Sequence, residues 1–159
     1  MKKSTGINKI RTSVFISGKG TNLNNLIKFS KKKNSPINIC YVISNKKKAY
    51  GLKFAKNNRI KLKIVNFENK QDIDDLLKIL NQNKIKLICL AGFLKILSKK
   101  FIRSFDGKII NIHPSLLPKY KGLNTHGRVL ENKEKYTGCT VHYVNEKLDD
   151  GKIILQKKV

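Results

Sequence analysis

Asn111 and His113 stand two residues apart in Lys108-Ile109-Ile110-Asn111-Ile112-His113, directly ahead of Pro114. If an extended strand runs through His113, both side chains point to one face, because successive side chains in a strand alternate. A carboxamide donor and an imidazole then converge on one point. Pro114 and Pro118 stop regular structure immediately afterwards and shape the loop that follows. A second polar element, Val141 to Gly151, reads as a strand ending in the acidic turn Leu148-Asp149-Asp150-Gly151. An Asp from that turn can pair with His113 and hold it protonated or correctly oriented. An Asn, a His and an Asp with no Ser or Cys nucleophile among them suit direct attack of a substrate amine on a carbonyl carbon. The protein then supplies oxyanion stabilisation and proton transfer.

Two other chemistries compete for attention. His113, His126 and His142 could join Asp149 around a metal, but no pair sits at i, i+4 on a helix and no Cys joins them, so no metal is expected. His126 and His142 are expected in structural or supporting roles. The turn Ser17-Gly18-Lys19-Gly20-Thr21-Asn22 lies between a strand and a helix start, where free N–H groups and the helix dipole suit a phosphate. Leu23 stands where a dinucleotide fingerprint needs its third glycine, and a Walker A loop is also absent. The turn therefore suits a simple phosphate group, and a tight strand-to-helix connection explains the glycines equally well.

The elements that must carry these residues alternate in type. Ile10 to Ile16 is a short β-branched segment, followed after the glycine turn by Leu23, Leu26 and Ile27 at helical spacing. Ile37 to Ile43 reads as a strand, Ala49 to Asn58 as a helix and Leu62 to Val65 as a short strand. Asp72 to Leu80 carries the stripe Ile73, Leu76, Leu77 and Leu80, with acidic residues in its first turn. Ile85 to Ala91 is a further strand ended by Gly92. Strands apolar on both faces, alternating with helices, predict an α/β, doubly wound and mostly parallel sheet. Ligands of such sheets bind beyond the carboxyl ends of the strands, which is where the loops above fall.

At 159 residues the chain is the size of one domain, and residues 1–159 are expected to form a single one, with residues 1–9 as a flexible N-terminal tail. The formal net charge of +25 invites a nucleic-acid partner. Its make-up argues otherwise: 31 of the 35 cations are Lys and only 4 are Arg, and Lys, Asn and Ile together make 68 of the residues. Drift toward residues with A- and T-rich codons explains that profile as well as a binding patch does, and Arg, the preferred reader of guanine edges, is scarce. No apolar run approaches the roughly 18 residues of a membrane span, and the N-terminus lacks a secretory signal. An intracellular, cytoplasmic protein is expected. Cys40, Cys89 and Cys139 form no CxxC pair and read as reduced, strand-borne and structural.

Five motifs in order resemble the folate-dependent formyltransferases, and most closely those of purine biosynthesis that act on glycinamide ribonucleotide. They are Ser17-Gly18-Lys19-Gly20-Thr21-Asn22-Leu23, Leu90 to Leu97, Asn111 to Pro118, Gly138-Cys139-Thr140-Val141-His142 and Leu148-Asp149-Asp150-Gly151, and the likeness runs from Ile10 to Val159. The resemblance implies formyl transfer from 10-formyltetrahydrofolate, a co-substrate, to the amine of glycinamide ribonucleotide. It implies Asn111, His113 and Asp149 as catalytic residues, and Gly20, Thr21 and Asn22 as the binders of the substrate phosphate. It also implies that Leu94, Lys95, Ile96 and Leu97, with Asn145, Glu146, Lys147 and Leu148, wall the pterin pocket. Lys95 stands where the family usually has Arg, and Lys152 where it usually has Pro. Family members continue for several tens of residues past the strand Ile153 to Val159, so a shortened or fragmentary chain is expected. A monomer or homodimer without a membrane or specific nucleic-acid partner fits this assignment. The alternatives within the family are formyltetrahydrofolate deformylase and methionyl-tRNA formyltransferase, and outside it a basic nucleic-acid-binding module.

Overall fold

Ile10–Ile16 forms strand β1 because five consecutive residues, Thr12 to Ile16, can be buried on both faces at once, a pattern only a central strand satisfies. The structure, a computed structural model, describes residues 8–159, so the first seven positions of the expected tail lie outside the described residues. After β1 come helix α1 (Thr21–Ser30), β2 (Ile37–Ser44), α2 (Leu52–Asn57), β3 (Lys61–Ile64), α3 (Lys70–Gln82) and β4 (Leu87–Leu90). The second part holds α4 (Lys99–Ser104), β5 (Lys108–His113), α5 (Thr125–Glu131), β6 (Gly138–Tyr143) and β7 (Ile153–Lys158). The sheet has the order β3-β2-β1-β4-β5-β6-β7. Its first five strands are parallel, whereas β6 and β7 join antiparallel.

The doubly wound architecture expected from the alternating pattern is present, extended by an antiparallel edge. Two short helices, α4 and α5, were not legible in the periodicity. Helix α4 is one and a half turns long and is defined by its cap, in which Ser98 Oγ accepts from the Phe101 N–H at 3.1 Å. In α3, Asn69 Oδ1 accepts from the Asp72 N–H at 3.1 Å, and Asp72 Oδ2 accepts in turn from the Asn66 N–H at 2.9 Å. These two bonds start the helix at Lys70, three residues before the apolar stripe begins.

Each face of the sheet has its own core. Val14, Ile16, Leu23, Ile27, Val42 and Ala55 pack on one side. On the other, Phe15, Ile43, Leu76, Leu80, Ile88 and Phe101 pack together. Phe15 is fully buried and meets Phe67, Phe93 and Phe101 at centroid distances of 5.9, 5.6 and 6.2 Å. These rings brace the segment after β4 against the centre of the sheet. All three cysteines are strand residues and free, as their apolar neighbours suggested.

The two ends of the sheet differ in character. At the amino end, where α1, α2 and α3 all finish, a depression of about 380 Å³ is lined by Arg11, Lys31, Arg59 and Lys61. Arg11 Nε donates to the Asn83 carbonyl at 2.5 Å and Lys31 Nζ to Asn58 Oδ1 at 2.6 Å. Part of the surplus positive charge therefore complements helix C-termini. At the carboxyl end the sequence order reverses between β1 and β4, so the loops after them diverge and leave a crevice. The edge strand β7 is exposed along its whole length. No helix among the described residues is long and apolar enough to cross a membrane.

Candidate active site

The antiparallel register of β5 and β6 sets Asn111 opposite His142 and His113 opposite Thr140. Cross-strand partners share a face, so Asn111, His113, Thr140 and His142 form one polar square beside the apolar core. Asp149, in the loop after β6, closes it. Its Oδ2 lies 3.3 Å from His113 Nδ1 and accepts from the Gly122 N–H at 2.9 Å, while its Oδ1 accepts from Asn111 Nδ2 at 3.4 Å and lies 3.6 Å from His142 Nε2. One carboxylate thus gathers the two β5 residues through its two separate oxygens. Asp149 reaches inward because its backbone is left-handed, with φ of 46°. Gly151 permits the turn, since a Cβ there would fall 1.7 Å from the Tyr143 carbonyl oxygen. The neighbouring Asp150 turns outward and pairs with Lys121.

The carbonyls around the square decide where the ring protons sit. His142 Nδ1 is 2.9 Å from the Tyr143 oxygen, an atom that only accepts, so Nδ1 carries hydrogen, and Nε2 lies between Asn111 Nδ2 at 3.2 Å and Asp149 Oδ1 at 3.6 Å. His113 Nε2 is 2.8 Å from the Tyr120 oxygen and therefore donates there, with the Asp149 carboxylate on its other nitrogen. Both nitrogens of His113 face acceptors, and the imidazolium is the form that satisfies both. His113 is 5% exposed and His142 2%, so these partners are not exchanged freely for water. Burial pushes the Asp149 carboxyl upward. The contact with His142, the Gly122 N–H and the charges of the two imidazoles outweigh it, and the group rests below the usual carboxylate value.

The loop from Pro114 to Gly122 is tied down residue by residue. Thr140 Oγ1 donates to the Ser115 carbonyl at 2.7 Å and accepts from the Leu117 N–H at 3.1 Å, and Gln156 Nε2 of β7 donates to the Leu117 carbonyl at 2.8 Å. Ser115 Oγ donates to the Lys119 carbonyl at 2.7 Å. Tyr120 adopts φ of 57°, a left-handed conformation that costs a bulky L-residue about 1–2 kcal/mol. Its hydroxyl donates to Glu134 Oε1 at 2.9 Å, where Lys119 Nζ also donates at 2.8 Å, and Arg128 lies 5.4 Å from its ring centroid. Lys119's hydrogen bond and charge hold the Glu134 carboxyl below its ordinary value, with the Tyr120 hydroxyl adding to the effect. Ser115, Tyr120, Glu134, Thr140 and Gln156 escaped the sequence reading of the site. Backbone acceptors and loop anchors carry no spacing signal, although Ser115 and Thr140 lie inside motifs singled out there.

The phosphate-type turn is open at the start of α1. Gly20 is the N-cap with φ of 77°, no side chain caps the helix, and no acidic residue occupies its first turn, so its amide hydrogens suit an anion. Thr21 is exposed and Asn22 half-buried. A Cβ on Gly20 would come 2.4 Å from the Gly51 Cα, which shows how closely the loops after β1 and β2 cross. At the switch point, Ser17 Oγ donates to Asn45 Oδ1 at 2.6 Å and accepts from the Leu94 N–H at 2.8 Å, linking the loops after three strands.

The expected pterin walls divide in character. Leu94, Ile96 and Leu148 are exposed apolar side chains, but Leu97 is packed in the core, so it could line a pocket only through its backbone. Lys95 Nζ pairs with Glu68 at 2.6 Å and Glu146 takes Arg103 on both oxygens at 2.5 and 2.9 Å. Asn145 Oδ1 accepts from the Lys147 N–H at 2.9 Å, fixing the start of that loop. His126 is exposed and stands apart from the polar square.

Relatives of known type match nearly the whole chain. A phosphoribosylglycinamide formyltransferase of Haemophilus influenzae is 48% identical over 153 residues, which cover 94% of this chain and 72% of that protein. The trifunctional purine biosynthetic protein adenosine-3 of Gallus gallus is 44% identical over 156 residues, 96% of this chain but 16% of that much longer protein. Against the crystal structure of phosphoribosylglycinamide formyltransferase from Anaplasma phagocytophilum the TM-score is 0.88 at 42% identity, covering 96% of this chain and 72% of the other. The formyl transferase family matches residues 10–159. With the sheet order, the polar square and the open glycine turn all in place over that span, the chain belongs to the formyl transferase family.

Proposed function

We propose that this chain is a phosphoribosylglycinamide formyltransferase, moving a formyl group from 10-formyltetrahydrofolate to the primary amine of glycinamide ribonucleotide in de novo purine synthesis. The observation that carries this reading is the one half-buried carboxylate of Asp149 gathering Asn111 and His113 on its two oxygens. The setting is that of a cytoplasmic enzyme handling two small anionic substrates, as a monomer or homodimer.

The amine attacks the formyl carbon, and the carbonyl oxygen becomes an oxyanion. The Asn111 amide donates to that oxygen, and His113, charged and oriented by Asp149, stabilises it by its charge and helps move the proton. Asp149 takes the proton that the attacking nitrogen sheds and relays it toward N10 of the folate, whose bond to carbon then breaks. One carbon–nitrogen bond forms, one breaks and one proton changes nitrogen, with no acyl-enzyme. The ribonucleotide phosphate sits on the amide hydrogens of Gly20, Thr21 and Asn22. Leu94 to Leu97 and Asn145 to Leu148 wall the pterin, the exposed Leu94, Ile96 and Leu148 covering its face.

The test is turnover: purified chain is mixed with glycinamide ribonucleotide and a 10-formyl folate, and deformylation is followed by absorbance. Transfer that disappears in His113→Ala is expected. Absence of transfer by folded chain, or undiminished transfer by His113→Ala, overturns the assignment.

A further inference from the structure

The carbonyl that receives His113 Nε2 belongs to Tyr120, a residue held in a left-handed conformation that an aromatic side chain does not keep unaided. Among the described residues its side-chain hydroxyl has one hydrogen-bond partner, Glu134 Oε1 at 2.9 Å. Glu134 sits between α5 and β6, its own N–H donating to the Val129 carbonyl at 3.2 Å, so the carboxylate is anchored by structure independent of the Pro114 to Gly122 loop. The same oxygen receives Lys119 Nζ at 2.8 Å, but that ammonium is 64% exposed and contributes little by itself. We propose that Glu134 is a positioning residue for the transfer reaction: through the Tyr120 hydroxyl it fixes the Tyr120 carbonyl, and through that carbonyl the orientation of the His113 ring.

The chain of contacts runs Glu134 to Tyr120 hydroxyl, Tyr120 carbonyl to His113 Nε2, and His113 Nδ1 to Asp149. Without the first link Tyr120 relaxes toward right-handed backbone, its carbonyl swings off Nε2, and the imidazole turns about its own bond. Arg128 bears on the same loop, stacked 5.4 Å from the Tyr120 ring and donating to the Lys121 carbonyl at 2.6 Å. It supports the loop's course without touching the Tyr120 carbonyl; Ser115 Oγ reaches that carbonyl at only 3.5 Å, its shorter bond going to the Lys119 carbonyl at 2.7 Å, so Glu134 is the group that anchors Tyr120 through its own side chain.

This inference rests on the transferase assignment for its kinetic arm and is independent of it in its spectroscopic arm. Glu134→Ala and Tyr120→Phe are each expected to lower kcat about tenfold, with KM for both substrates within twofold of the parent. Combined, they should cost no more than either alone, since they break one link. Glu134→Gln keeps an acceptor for the hydroxyl and should restore most of kcat. In ¹⁵N-resolved NMR, the hydrogen-bonded Nε2 proton of His113 should be visible in the parent and in Glu134→Gln, and lost or broadened in Glu134→Ala. If the parent shows no transfer the functional assignment fails, and the Nε2 signal alone decides this proposal. A folded Glu134→Ala with unchanged kcat and an unchanged signal overturns it, as does a loss of kcat that Glu134→Gln fails to recover.

Discussion

Replacing Asp149 by Asn removes one charge while keeping the size and shape of the side chain. Asn tolerates the left-handed backbone that Asp149 adopts, so the turn at φ of 46° should persist. The remaining carbonyl oxygen can still accept from the Gly122 N–H and from His113 Nδ1, now 2.9 and 3.3 Å from Oδ2. The amide nitrogen then replaces Oδ1, where Asn111 Nδ2 at 3.4 Å is itself a donor, so that contact turns from attraction to conflict. Two unit charges 3.3 Å apart attract by about 5 kcal/mol at an effective dielectric of 20, an upper bound because desolvation opposes it. Charge-assisted hydrogen bonds measured by deletion cluster nearer ~1.5–3 kcal/mol, and this smaller scale is the one to expect. At about 1.4 kcal/mol per factor of ten, kcat should fall roughly 10- to 150-fold from loss of the charged contact alone. Loss of the proton relay would carry it further, toward about 10³-fold. Steady-state transfer kinetics beside a thermal melt and a circular dichroism spectrum make the assay. A folded Asp149→Asn with kcat within threefold of the parent would refute the role given to this carboxylate.

Other consequences are open to simple measurements. Because the Asp149 carboxyl lies below its ordinary value of 3.8 in the folded chain, its stabilising contribution is complete above that value and lost as pH falls through the lower folded one. The melting temperature of the parent should therefore drop more steeply than that of Asp149→Asn below about pH 4, and parallel curves would contradict this. Gly20→Ala meets both a left-handed backbone and a backbone contact at 2.4 Å, so it should destabilise the chain by more than the about 1–2 kcal/mol of the conformational strain alone and raise KM for the phosphorylated substrate. Denaturant unfolding and kinetics read the two effects separately, and a neutral result in both would remove the close-approach argument. Burial pushes the Cys89 thiol up to about 12, so a native-state thiol titration should label the half-exposed Cys40 and Cys139 well before Cys89. Three thiols reacting at one rate would contradict that burial.

What could be seen in advance follows from the period of each signal. Strand β4 is a continuous apolar run, and β1 and β2 each contain one, Val14 to Ile16 and Ile39 to Ile43, because they lie inside a parallel sheet, and such runs stand out in a Lys-rich chain. Asn111 and His113 share a face by strand alternation, which needs no tertiary information. His142 completes the square only through the β5–β6 register, which one sequence does not reveal. From the residues, the acidic turn offers two adjacent Asp side chains, and only the resemblance favours Asp149. The structure separates them by backbone handedness, sending Asp149 in and Asp150 out to Lys121. Helices α4 and α5 span six and seven residues, too short for a repeating stripe, and Gly127 weakens α5 further. The Tyr120 carbonyl is a backbone atom, and residue identity says little about where such an atom points.

The contact between Gly20 and Gly51 has a bearing on how the fold can change over time. A methyl group at Gly51 would come 2.8 Å from the Gly20 Cα, as one at Gly20 would come 2.4 Å from Gly51. In most packed pairs a gain of volume on one side can be offset by a loss on the other, and such exchanges leave correlated substitutions across lineages. Here neither partner has anything left to lose. The two positions should stay fixed together, and a pair that never varies produces no correlation. Methods that infer proximity from joint variation would thus be blind to the crossing that braces the phosphate turn, even though its two backbones nearly touch.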